Sequence, residues 1–143
     1  MIFRKIYLST APHAPTADQL LSLMEVARRN NSRDGITGLT AYHDYTFIQV
    51  LEGPFDKVEA CFHRILQNPM HDNILVAHEE YAKDRIFDDY AMAFVPLKGA
   101  DAASAQAFED LRKVFHGPRA AQIQRDATTA GFLEAFRQSL PGL

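Results

Sequence analysis

The sequence of 143 residues has no tryptophan and a single cysteine, Cys61. One cysteine excludes an intrachain disulfide, and on its helical stripe it reads as a buried small hydrophobe rather than a reactive thiol. No apolar run approaches the ~20 residues that span a bilayer. The N-terminus lacks the continuous apolar stretch of a secretory signal, so a cytoplasmic location is expected. Basic residues are scattered (Arg4, Lys5, Arg28, Arg29, Arg33) and form no stripe. With 15 Lys and Arg against 18 Asp and Glu, the net charge is −3. Nothing here is an electrostatic footprint for nucleic acid. His13, His43, His63, His71, His78 and His116 form neither an HxxxH pair nor a Cys/His pattern, so no metal site is expected. Ser9 and Ser32 lack a nucleophile elbow. There is no internal repeat and no low-complexity tract.

What remains is ordinary for a globular domain, with 47% hydrophobic and 23% charged residues. Ile2 to Ser9 alternates as a strand. Pro12 and Pro15 end it, and Thr16 with Gln19 has the spacing of a capping box. Leu20, Leu23, Met24 and Ala27 then predict a helix ending near Asn30. Asn30 to Gly35 is dense in turn formers, and Asp34-Gly35 suggests a positive φ before the next strand. Ile36 to Tyr42 and Thr46 to Leu51 predict a hairpin closed by His43-Asp44-Tyr45. Pro54 opens a second helix whose stripe is Val58, Cys61, Phe62, Ile65 and Leu66, ending near Gln67. Strands over Asn73 to Tyr81 and Tyr90 to Leu97 follow. The fold class is α+β: a ferredoxin-like βαββαββ sheet, mainly antiparallel, with two helices on one face. In the tail, Phe108, Leu111 and Phe115 line one expected helix, and Phe132, Leu133, Phe136 and Leu140 another. These are expected to cover the second face or to form a homo-oligomer surface.

Gln49 is out of place in the apolar strand Phe47-Ile48-Gln49-Val50-Leu51. A buried amide carries donors and an acceptor that must be satisfied. Its partner is either protein or ligand; a backbone bond or an edge position accounts for it equally well. Tyr7 sits mid-strand on the face of Phe3 and Ser9, and Gln49 is a candidate partner for its hydroxyl. Asn30 and Asn31 are C-cap candidates, or amides able to read a heterocycle's edge. Arg64, Asn68 and His71 cluster at the end of the second helix, as a solvated helix end or as a phosphate-pairing group.

Together, five stretches resemble the BLUF family of flavin-binding blue-light sensors. They are Ile6-Tyr7-Leu8-Ser9; Arg29 to Gly38; Phe47 to Gly53; His63-Arg64-Ile65; and Arg85-x-Phe87 leading to Tyr90-Ala91-Met92. The resemblance covers about residues 1–97; residues 98–143 form the expected helical cap or output segment. It implies non-covalently bound FAD, although nothing in the residues separates FAD from FMN, with the ring between the helices and the sheet. Tyr7 matches the tyrosine next to the ring, Gln49 the glutamine between tyrosine and flavin, and Asn31 the asparagine at the ring edge. Asn30 is its neighbour. Arg64, Asn68 and His71 match groups near the ribityl chain and phosphates, although the family more often has Asp at the position of Asn68. Met92 matches a methionine on the last strand, which the family places beside the strand of Gln49. Tyr90 departs from the family's usual tryptophan, and it is also a candidate second electron donor.

The resemblance further implies a blue-light photoreceptor without enzymatic activity. Light drives electron and proton movement between Tyr7 and the flavin, Gln49 rearranges, and absorption shifts slightly to the red. Output is expected to pass to a separate partner protein. Two readings compete. An acylphosphatase-like hydrolase on the same fold needs an anion cradle, whereas Thr10 to Pro15 lacks Gly and Arg and loses two N–H donors to proline. A flavin-free interaction module would not be expected to keep Tyr7, Asn31 and Gln49.

Overall fold

The computed structural model describes residues 1–43, 45–87 and 92–95. In chain order they form β1 (Ile2–Thr10), α1 (Ala17–Asp34), β2 (Thr37–His43), β3 (Thr46–Gly53), α2 (Phe55–Leu66), β4 (Asp72–Ala82) and β5 (Ala93–Val95). The sheet order is β4-β1-β3-β2-β5, antiparallel throughout except for a parallel β2–β5 pairing. This is the expected ferredoxin-like arrangement. Of the expected strand over Tyr90 to Leu97, the described residues show Ala93–Val95 as strand, and Met92 is the residue before it. Tyr90 and residues 98–143, with the tail helices expected there, lie outside the described residues.

Alternation along β1 divides the sheet into two faces. Phe3 and Tyr7 join Met24 of α1, Val58, Cys61 and Phe62 of α2, and Leu51 of β3 in one core. Both helices therefore cover this face. The opposite face is also apolar and buried, at Ile6, Leu8, Leu39, Ala41, Ile48 and Val50.

The capping box is present: Thr16 Oγ1 accepts from the Gln19 amide and the Gln19 side chain accepts from the Thr16 amide. The helix it opens runs four residues beyond the expected end. Asn30 to Asp34 are its last turn rather than a loop. Gly35 stops it with φ +70, and its N–H bonds the Asn31 carbonyl. The extra turn matters because it carries Asn31 inward as a buried residue of the helix. The β2–β3 hairpin forms without glycine in its turn, and Tyr45 takes a positive φ of 66. Gly38 permits the close approach of β2 to β3: a Cβ there would sit 1.9 Å from the Val50 carbonyl oxygen.

Each face of β1 also buries a charge. Arg4 Nε donates to Glu52 Oε2 at 2.9 Å, and its other nitrogens reach Glu80 and the Asp84 carbonyl. Glu52 also accepts from the backbone N–H groups of Ile86 and Phe87. Arg85 bonds Thr37 Oγ1 and the carbonyls of Gly35 and Glu52. The Arg85-x-Phe87 stretch is thereby clamped to the ends of β2 and β3. On the helix face, Lys5 pairs with Glu59 and Glu79 and lies 3.9 Å above the Phe62 ring.

Candidate functional site

Between α1, α2 and the sheet lies a cavity of about 220 Å³. Its wall includes Asn30, Asn31, Gln49, Arg64, Asn68, His71 and Met92, together with Cys61 and apolar residues of α1. These residues come from four separate stretches of chain. Of the expected site residues only Tyr7 is absent from the wall; it lies in the core behind it, fully buried.

The sheet sets the centre of the site. Tyr7 is the register partner of Gln49, and Gln49 that of Thr40. The three form a row across β1, β3 and β2. Gln49 does not sit on the strand next to the Met92 segment, as the resemblance implied; β2 lies between them. Thr40 bridges the gap. Gln49 Nε2 donates to Thr40 Oγ1 at 3.1 Å, and Thr40 Oγ1 donates to Met92 Sδ at 3.1 Å. The Met92 carbonyl accepts from Arg28 Nε of α1 at 2.9 Å. Neither Thr40 nor Arg28 stood out in the sequence. A threonine in a strand is unremarkable until its cross-strand neighbour is known.

Two buried atoms in this row have no hydrogen-bond partner among the described residues: the Tyr7 hydroxyl and Gln49 Oε1. The expected Tyr7–Gln49 hydrogen bond is therefore not made. Leaving such groups unpaired costs about 1–3 kcal/mol each, and a native core seldom tolerates it. Oε1 is an acceptor on the cavity wall, and the Tyr7 hydroxyl, able to donate or accept, lies behind that wall. Burial, and after it the nearby Cys61, pushes the Tyr7 phenol well above its ordinary range, so it keeps its proton. Burial likewise raises the Cys61 thiol, which donates to Asn31 Oδ1 at 3.8 Å.

The polar end of the cavity is built differently. Arg64 is half exposed and reaches Asp34 at 3.4 Å. Asn68 Oδ1 accepts from the Met70 N–H. His71 is buried, its ring tilted against that of Phe47, and its Nδ1 lies 2.7 Å from Ser9 Oγ. Burial pushes the imidazole down to about 4, so it is neutral at pH 7. An unfolded histidine protonates near 6.5. Stability supplied by this difference is complete above pH 6.5 and is lost as pH falls toward 4. Between pH 6.5 and 5 the loss is about 2 kcal/mol from this residue. Urea titrations at the two pH values check it: His71→Gln should flatten the dependence by that amount, and an unchanged slope would contradict it.

A family model described as "BLUF: Sensors of blue-light using FAD" matches residues 2–93. The chain belongs to the BLUF family. It is 29% identical over 98 residues to the blue light- and temperature-regulated antirepressor BluF of Escherichia coli K12, covering 68% of this chain and 24% of that protein. It is 28% identical over 115 residues to photoactivated adenylate cyclase subunit beta of Euglena gracilis, covering 73% of this chain but only 13% of that protein. Among solved structures, the dark state of the BLUF protein BlrB matches with a TM-score of 0.67 and 28% identity, over 91% of this chain and 96% of that one. The ground state of BlsA matches at 0.60 and 31%, over 66% and 64%.

The family is one of blue-light sensors, and FAD is its cofactor. The residues of this chain fit a flavin on physical grounds. The ring has an apolar body and one edge of alternating donors and acceptors. The cavity offers apolar walls, the amides of Asn31 and Gln49, and the unpaired Gln49 Oε1. Among the described residues, no helix is long and apolar enough to cross a membrane, and no cluster could hold a metal ion.

Proposed function

We propose that this BLUF chain holds FAD non-covalently in the cavity, and that a Tyr7–Gln49 rearrangement turns light into a signal for a separate protein. One observation carries the reading: Gln49 Oε1 at the cavity and the Tyr7 hydroxyl on the neighbouring strand behind it are buried without hydrogen-bond partners among the described residues.

The roles follow from the chemistry of each group. Asn30 and Asn31 present amides to the ring's polar edge. Arg64 supplies a cation for phosphate, with Asn68 and His71 beside it; neutral His71 adds no charge there. When bound, an oxidised flavin would supply a strong oxidant on excitation by blue light. Tyr7 would be the electron donor, and its hydroxyl proton would become acidic. Gln49 would relay that proton, because an amide both donates and accepts, and would hand it back as the electron returns to Tyr7. Gln49 need not return to its first orientation, and the turned amide would shift the absorption to longer wavelength.

No bond is made or broken lastingly, so the chain acts as a sensor rather than an enzyme, in the cytoplasm. Its output reaches a partner through the Met92 segment. The names of the two relatives, an antirepressor and a cyclase, pair light with such an output. A second copy of the chain is a further partner, through the phenylalanines of residues 98–143.

Absorption spectra in the dark and after a blue flash test this. The expected result is yellow protein with a small, reversible red shift. Yellow protein without a shift would overturn the Tyr7–Gln49 mechanism. Colourless protein that flavin cannot reconstitute would overturn flavin binding and favour an interaction module.

A further inference from the structure

We propose that Thr40 is the switch point that passes the orientation of the Gln49 amide to Met92, an inference that rests on the photoreceptor reading above. Thr40 is buried and hydrogen-bonded on both sides. Its hydroxyl accepts from Gln49 Nε2 and donates to Met92 Sδ, each at 3.1 Å.

A hydroxyl has one proton. While Gln49 turns its NH2 group toward Thr40, that proton is free to point at the sulfur. When the amide reverses, Oε1 faces Thr40 instead. Two oxygens would then meet without a proton between them unless the hydroxyl turns. An amide oxygen is a far better acceptor than a thioether, so the proton turns to Gln49 and leaves Met92. Holding Met92 Sδ and holding a reversed Gln49 are mutually exclusive.

No atom is transferred. One hydroxyl rotates, and the Met92 side chain loses its tether. The Met92 carbonyl stays bonded to Arg28 of α1, so the released side chain moves about a fixed backbone point. Met92 directly precedes β5, whose Ala93–Val95 pair with Leu39, Thr40 and Ala41 of β2. The backbone of Thr40 thus supports β5 while its side chain reads Gln49. This makes Thr40 a positioning residue, acting through Met92.

The test uses FAD-loaded full-length protein labelled with 13C at the methionine methyl groups. The Met92 signal is identified by its loss in Met92→Leu. In the unmodified protein this signal is expected to move after a blue flash and to return together with the flavin absorption. In Thr40→Val the absorption shift should persist while the Met92 movement falls at least threefold. Thr40→Ser should restore it. Should Thr40→Val fail to take up flavin, Thr40→Ala removes the same hydroxyl without bulk and is read the same way. Full Met92 movement in the variant lacking the hydroxyl would overturn the role of Thr40 alone. Absence of any absorption shift in the unmodified protein would overturn the photoreceptor reading as well.

Discussion

Replacing Gln49 with leucine should leave a yellow protein whose spectrum no longer shifts after a blue flash, the amplitude falling at least tenfold. Leucine keeps the bulk but has neither donor nor acceptor. The change should not weaken the protein without flavin. It removes the Gln49–Thr40 hydrogen bond, but it also removes the unpaired Oε1. Thr40 still has Met92 Sδ to donate to, so no buried donor is orphaned. Losing both an unpaired group and a modest bond leaves stability within about 1 kcal/mol. Flavin should still bind, because Asn31, Arg64 and His71 are untouched. Flash spectroscopy and a urea titration on the same sample separate loss of signal from loss of fold. A persisting red shift would sink the role assigned to Gln49.

A change at Glu52 should act in the opposite way, on stability rather than on photochemistry. Glu52 and Arg4 are 0% and 1% exposed. The carboxylate accepts from the guanidinium and from the N–H groups of Ile86 and Phe87. Truncation to alanine would leave a buried cation short of a partner and take the carboxylate away from the N–H groups of Ile86 and Phe87. Breaking a buried pair from one side costs about 3–5 kcal/mol. Glu52→Ala should therefore lower stability by that order, read from the midpoint in urea. The paired replacement Arg4→Met with Glu52→Leu should cost less than Glu52→Ala alone, because it leaves no buried guanidinium short of its carboxylate. A loss below about 1 kcal/mol for Glu52→Ala would show that the carboxylate is not holding the 85–87 segment.

The parts of the fold legible in the sequence are those decided by neighbours along the chain. The Thr16–Gln19 box, the positive φ at Gly35 and the hairpin between β2 and β3 all depend on residues a few positions apart. The end of α1 lies beyond the expected Asn30 for a physical reason. Asn30 to Asp34 are turn formers by composition, but turn formers do not stop a helix whose backbone bonds continue; the left-handed Gly35 does. At the site, the odd polarity of Gln49 in an apolar strand marks a residue that the structure places on the cavity wall. The spacing of Arg64, Asn68 and His71 also brought residues of one cavity wall together. Hidden were the groups whose meaning comes from distant partners. Arg4 and Lys5 look like scattered surface charges until Glu52, Glu59, Glu79 and Glu80 are placed around them. Ser9 reveals nothing until His71 arrives from 62 positions away. Thr40 is one threonine among several until the register sets it against Gln49.

The central place of β1 and β3 sets an energetic hierarchy within the sheet. β1 is paired along its length on both sides, by β3 and β4, and β3 by β1 and β2. Opening free energies in a protein range from near zero at its margins to the full unfolding value in a central strand. The backbone that carries Tyr7 and Gln49 therefore opens only when most of the sheet does, and their side chains can rearrange on a frame that stays still.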